Sequence, residues 1–259
     1  MHGFALGRPS RVGATPTVNN RPAETTPGRR LYAIGDVHGR LDLLRRLCDG
    51  IDQERRAAPG LEHRLVLLGD YIDRGPESRA VLDWLIARSV EVPGTVALAG
   101  NHEDSMLRFL DDLAVGPSWL YCGGRETLMS YGIEAPRYSE DAGLLRRLQD
   151  ALRAALPAPH VAFLRGLPTS HVDGDYFFVH AGVRPRVPLA EQRRADLLWI
   201  REEFLGSGEE HGKVVVHGHT ISRTPELRRN RIGIDTGAFA SDTLTCVVLE
   251  GAERRFIQT

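Results

Sequence analysis

The sequence predicts an α/β fold, on three observations. Five short apolar runs, LYAIGDVHG, LVLLGDYIDRG, VALAGNHE, YFFVHAG and VVVHGHT, each stop at Gly, Asp, Asn or His, as buried strands do where they leave a sheet. Stretches with helical apolar spacing separate the first of them. A length of 259 residues with 42% hydrophobic side chains suffices for one large core.

Residues 1–29 are rich in Thr, Pro and Arg with Glu24 as the one acid, a composition expected to form a disordered tail before a domain spanning residues 30–259. The first strand, Leu31 to Gly35, leads through Asp36 to a helix whose buried face is Leu41, Leu44, Leu47, Cys48 and Ile51. Arg64 to Gly69 repeats the pattern. Pro76 then opens a helix burying Val81, Leu82, Leu85 and Ile86, because a first turn tolerates a residue without an N–H. Thr95 to Gly100 is the third strand. From Glu103 to about Val172 the periodicity is mostly helical, read as an accessory region beside the active edge. Strands return at Tyr176–Val179, Lys213–Val216, Gly233–Asp235 and Leu244–Leu249, with an amphipathic stretch around Leu189–Phe204. Late strands without long intervening helices predict a second, mixed sheet.

A formal charge of -1 argues against a protein whose main task is neutralising a nucleic-acid backbone. The three cysteines form neither a framework nor a CxxC motif, which suits a reducing compartment. No apolar stretch approaches the about 20 residues of a membrane helix. The expectation is a soluble, cytoplasmic protein.

Strand ends in open α/β folds carry the ligands. Here they offer Asp36, His38, Asp70, Asn101, His180 and His217, hard oxygen and imidazole donors that suit Mn²⁺, Fe or Zn. Asp36 and His38 stand two apart, so they share a face of an extended segment. Asp70, with two oxygens, is placed to bridge two ions, and Asn101, His180 and His217 complete the second. His219 is ranked below His217, touching the second ion through its backbone or serving structurally. The economical nucleophile is hydroxide activated by the metal pair. His102 is read as the acid protonating the departing oxygen, Asp73 as its orienting partner and Arg74 as a phosphate binder. Singly, each has a blander reading: an Asp after a strand is usually a helix cap and a lone His usually structural. Their conjunction in five motifs outweighs it.

The strings GDVHGR, GDYIDRG, GNHE, HAG and HGHT resemble the signatures of the metallophosphoesterase superfamily, and specifically of phosphoprotein phosphatases. SWLYCGGRETLMSYG, LLWIREEF and IDTGAFASDTLT are similar to the short bacterial and phage lambda phosphatase-like type. The resemblance spans about Leu31 to Leu249. It implies a four-layer fold of two mixed sheets flanked by helices and two divalent metal ions, usually Mn²⁺. It puts Asp36, His38 and Asp70 on the first ion, and Asp70, Asn101, His180 and His217 on the second. Asp73 with His102 forms the acid pair, and Arg74 and Arg201 hold phosphate. The implied substrate is a phosphoprotein or phosphopeptide. Ala181 stands where eukaryotic members have Gly, and their regulatory-subunit segments are missing, so no regulatory subunit is implied. The competing enzyme readings are a symmetrical diadenosine tetraphosphate hydrolase, whose members generally lack the acid found here as Asp73, and a small-molecule or nucleotide phosphoesterase. A non-catalytic metal-binding adaptor would be expected to have lost a ligand, Arg74 or His102.

Overall fold

Two five-stranded sheets face each other in the computed structural model, which describes residues 21–259. The first half contains β1 (Arg29–Ile34), α1 (Leu41–Ala57), β2 (Glu62–Leu67), α2 (Ser78–Glu91), β3 (Thr95–Ala97) and α3 (Asn101–Asp111). An all-helical stretch follows: α4 (Gly116–Trp119), α5 (Arg125–Ser130), α6 (Ala142–Ala155) and α7 (Ala158–Gly166). The rest comprises β4 (Ser170–Asp173), β5 (Tyr176–Val179), α8 (Arg194–Trp199), α9 (Glu202–Leu205), β6 (Val214–His217), β7 (Glu226–Leu227), β8 (Arg231–Gly233), α10 (Ala238–Ser241), β9 (Thr245–Glu250) and β10 (Glu253–Gln258).

One sheet has the order β10-β9-β1-β2-β3 and the other β4-β5-β6-β8-β7. Both are mixed: β1 is parallel to β2 and antiparallel to β9, while β5 is parallel to β6 and antiparallel to β4. Strand alternation assigns each side chain to a layer. Leu31, Ala33, Val66, Phe178, Val216 and Val247 meet between the sheets. Tyr32, Ile34, Leu65, Leu67, Cys246 and Val248 face the helices, against Leu44 and Leu47 of α1, Leu82 and Leu85 of α2 and Met106 and Phe109 of α3. On the far side Phe177, Val179 and Val215 pack with Leu197, Ile200 and Phe204. The result is the expected four layers: helices, sheet, sheet, helices. No helix among the described residues is long and apolar enough to cross a membrane.

Three expectations are corrected. The last strands do not all build the second sheet: β9 runs antiparallel to β1, with Cys246 opposite Ile34, because its alternation supplies an apolar row to both faces of the first sheet. The helical accessory region ends at Gly166, and Ser170–Asp173 is a strand paired to β5. The expected tail is the third. Residues 1–20 lie outside the described residues, but 21–28 are bound to the domain. Thr25 is buried and exchanges hydrogen bonds with Gly251, donating N–H to its carbonyl at 3.0 Å and accepting its N–H on Oγ1 at 2.9 Å. Thr26 Oγ1 donates to Asp173 at 2.8 Å, and Tyr176 Oη to the carbonyl of Ala23 at 3.1 Å. Polar composition hid this, because the segment is held by hydrogen bonds rather than apolar burial. Deleting residues 1–28 is therefore expected to cost about 2 to 4 kcal/mol relative to deleting 1–20, at about 1 kcal/mol per bond lost. Thermal melts of the two truncations should differ by several degrees; coincident melts would show that the segment contributes nothing.

Candidate metal centre and active site

The strand ends of the two sheets converge on one place. Asp36 follows β1, Asp70 follows β2 and Asn101 opens α3 after β3, all from the first sheet; His180 follows β5 in the second. The loops after β1 and β2 are laced together, with the N–H groups of Val37 and His38 donating to the carbonyl of Asp70 at 3.1 and 2.8 Å. Glycine makes this possible: a Cβ on Gly75 would lie 2.1 Å from the His38 carbonyl oxygen. Glu103, buried, fastens the second loop to the start of α3. One of its oxygens accepts the N–H groups of Asp70 and Gly100, both at 2.9 Å, and the other those of Tyr71 at 2.7 Å and Ile72 at 3.3 Å. Burial, with Asp70 nearby, pushes its carboxyl up to about 7, whereas four backbone donors favour the ionised form. Strain gathers here as well. His38, Asp70, Asp73, Arg74 and His219 all have φ between 44° and 70°, a region costly for side chains with a Cβ and found where surrounding structure over-determines the backbone.

Two groups of side chains share Asp70. Its carboxylate lies with His38 and His102 on one side and with His180 and His219 on the other, the ligand atoms of each group lying within 4.8 Å of one another. Hydrogen bonds fix the tautomers. His38 Nδ1 donates to the Ile72 carbonyl at 2.8 Å and His180 Nδ1 to the Leu68 carbonyl at 3.0 Å, so both Nε2 atoms turn lone pairs inward, the arrangement of metal-binding imidazoles. The Nε2 of His180 faces Asn101 Oδ1 at 2.8 Å, His219 Nδ1 at 3.2 Å and Asp70 Oδ1 at 3.4 Å. With Nδ1–H committed to Leu68, these acceptors are satisfied by a second proton on Nε2 or by a cation in its place. Burial works against charging His180, yet Asp70 outweighs it and the imidazole is pushed up to about 9. Burial would likewise raise Asp70, but His180, His102 and His38 hold it well below the ordinary carboxylate range. The donor set fits divalent ions.

Asp36 and His219 complete the surroundings. The His219 N–H donates to both Asp36 oxygens at 3.1 Å, and a Cβ on the intervening Gly218 would sit 2.1 Å from Asp36 Oδ1. Burial, reinforced by Asp235, pushes the Asp36 carboxyl well above its usual range. His217 is not where the sequence placed it. On β6 the side chains of Val214 and Val216 face the other sheet, so Val215 and His217 face outward, and the His217 ring stands edge-on to Phe204 at 5.1 Å. His217 belongs to neither of the Asp70 groups. The left-handed turn at His219, φ 63°, returns that imidazole to the edge instead.

Asp73 and His102 meet as expected, with His102 Nδ1 2.6 Å from Asp73 Oδ2. Asp73 is itself held by two residues the sequence did not single out: Trp119 donates its indole N–H to Oδ2 at 3.0 Å and Thr127 its hydroxyl to Oδ1 at 2.6 Å. Thr127 Oγ1 also accepts the Asp73 N–H at 2.9 Å. Burial would lower the His102 pKa, but Asp70 and Asp73 outweigh it and raise the pKa. Arg74 points its guanidinium at the Nε2 atoms of His38 and His102, at 3.0 and 3.2 Å, under the ring of Phe239 at 4.8 Å. The Arg74 N–H is held by the Gly123 carbonyl at 3.1 Å. The accessory helices are thus the wall that orients both Asp73 and Arg74. Arg201, at the break between α8 and α9, reaches the same edge and donates to the His219 carbonyl at 3.1 Å. Replacing Thr127 by Val removes a hydrogen bond to a buried carboxylate, worth about 1.5 to 3 kcal/mol. Thr127→Val is expected to lower kcat for phosphoester hydrolysis by about 10- to 100-fold with metal content intact; steady-state kinetics beside metal analysis test this, and an unchanged kcat would show that Thr127 does not position Asp73.

Comparison with known proteins gives the family. The profile of the calcineurin-like phosphoesterase family matches residues 29–244. A symmetrical bis(5'-nucleosyl)-tetraphosphatase of Dechloromonas aromatica is 30% identical over 159 residues, covering 60% of this chain and 44% of that one. The chain thus spans less than half of that relative's length. Serine/threonine-protein phosphatase 2 of Salmonella typhimurium is 27% identical over 227 residues, covering 84% of this chain and 91% of the relative. A solved structure described provisionally as a diadenosine tetraphosphatase superposes with a TM-score of 0.60 at 20% identity, over 91% of this chain and 98% of that one, which shows the shared fold.

Proposed function

Since the chain belongs to the calcineurin-like phosphoesterase family of metal-dependent hydrolases, we propose that residues 30–259 form a phosphomonoesterase domain whose substrate is a phosphoprotein. The observation that carries this choice is the buried Asp73–His102 pair. An alkoxide leaves poorly without a proton, whereas a nucleotide phosphate leaves as a stable anion. In this reading Asp36, His38 and Asp70 hold one divalent ion, and Asp70, Asn101, His180 and His219 hold the other, with His219 in the role first given to His217. Manganese is the ion we propose. When bound, the pair supplies water activation and charge opposite the phosphoryl oxygens. Arg74 and Arg201 then bind the phosphate oxygens, Arg74 with two N–H donors in one plane. His102, protonated on both ring nitrogens, passes the proton on Nε2 to the leaving oxygen, and Asp73 accepts the Nδ1–H, favouring the charged imidazole before transfer and the Nδ1–H tautomer after it. A cytoplasmic setting belongs to the same proposal, with Cys48, Cys122 and Cys246 free.

Dinucleoside tetraphosphate hydrolysis is the second reading, favoured by the relative of that name. Metal-loaded protein assayed against phosphoserine, phosphothreonine and phosphotyrosine peptides, nucleotides and dinucleoside tetraphosphates separates the two. The proposal expects kcat/KM at least about tenfold higher on a phosphopeptide, a difference of 1.4 kcal/mol in transition-state stabilisation. The reverse order would transfer the assignment to the second reading.

A further inference from the structure

One buried acid at this edge has no part in the scheme above. Asp235, directly after β8, is 3% exposed. Its Oδ1 accepts the Gly237 N–H at 2.8 Å, but its Oδ2 is sealed from solvent and has no hydrogen-bond partner. The loop that carries it is pressed against the loop carrying Asp36, where a Cβ on Gly35 would lie 2.5 Å from the Ile234 carbonyl oxygen. Burial, with Asp70 nearby, raises the Asp235 carboxyl above its ordinary range, while the Gly237 N–H, His180 and Arg74 oppose this. Three carboxylates, Asp36, Asp70 and Asp235, are therefore buried together. Among the described residues Asp235 forms no ion pair with an arginine or lysine within 4.0 Å. A polar atom in that condition costs stability unless a ligand completes it.

We infer that Asp235 belongs to the metal centre, its free Oδ2 adding an oxygen donor on the Asp36 and His38 side of the pair. The inference rests on the metal-centre reading above. It explains why an unpartnered acid is kept among like charges: it weakens the metal-free fold and is repaid when a divalent cation arrives. Asp235→Asn keeps the shape and the acceptor for Gly237 while removing the charge.

The test is Mn²⁺ titration of wild type and Asp235→Asn by calorimetry, with thermal melts of both proteins stripped and loaded. Wild type should take up two ions per chain. In the variant one of the two should bind about 10- to 100-fold more weakly, while its metal-free melting temperature is unchanged or higher and its gain on loading is smaller. Equal stoichiometry and affinity in the two proteins would overturn the inference while leaving the metal centre standing. A variant equally destabilised with and without Mn²⁺ would make Asp235 a structural residue. A wild type that binds no Mn²⁺ would instead remove the metal-centre reading on which this rests.

Discussion

Asp70→Asn is expected to lower kcat/KM on every phosphoester substrate by on the order of 10³-fold or more, about 4 kcal/mol. The size follows from position: Asp70 is the one residue shared by both candidate groups, with His38 and His102 on one side and His180 and His219 on the other. Asn keeps the oxygen that accepts the His102 N–H at 3.1 Å, so α3 should remain in place. What it removes is the negative charge that holds His180 up to about 9. A cation is attracted there for the same reason. Metal content, kinetics and a thermal melt of the same preparation check the result; near wild-type activity with full folding would show that Asp70 does not join two ions.

His102→Asn should separate substrates that Asp70→Asn does not. If His102 protonates the leaving oxygen, the loss on a phosphoserine peptide is about 10²- to 10⁴-fold. On nitrophenyl phosphate, whose leaving group is already a stable anion, the loss is much smaller. The pH dependence carries the same sign. Burial would lower the His102 pKa, but Asp70 and Asp73 raise it above its ordinary value, so the proton-bearing form extends to higher pH than in a free imidazole. Activity on the peptide should fall as pH rises through that raised value, and the variant should lack this limb. Equal losses on both substrates, with metal occupancy confirmed, would reject His102 as the acid.

Much of this site was legible because each apolar run ends where its strand does. Asp36, Asp70, Asn101 and His180 all stand at strand ends of the shared edge as that rule expects, but His38 has a left-handed φ of 44°, so the extended two-residue spacing is not what places it there. The slip at His217 is instructive. In three of the motifs the polar residue follows a glycine, as in Gly35-Asp36, Gly69-Asp70 and Gly100-Asn101, and Gly218-His219 repeats it. His217 is still strand and points by alternation into the Phe204 layer, while His219 is already in the turn. Trp119 and Thr127 were out of reach for a different reason. They lie 46 and 54 residues from Asp73 in the chain, and only tertiary packing of the accessory helices brings them to its carboxylate. Asp235 was equally hidden, since an acid after a short strand reads as a cap until its second oxygen is seen buried and unpartnered. At the N-terminus, composition alone could not show that Thr25 and Thr26 find partners on Gly251 and Asp173.

Two ions at the facing strand ends are proposed to carry the hydrolase chemistry of this chain. Counting metal per chain during reconstitution tests this proposal most directly: the protein is stripped with a chelator, Mn²⁺ is returned in steps, and bound metal and phosphatase activity are measured on each sample. No activity is expected without metal, and full activity only as occupancy approaches two ions per chain. Full activity with verified metal removed, or at a single bound ion, would contradict it.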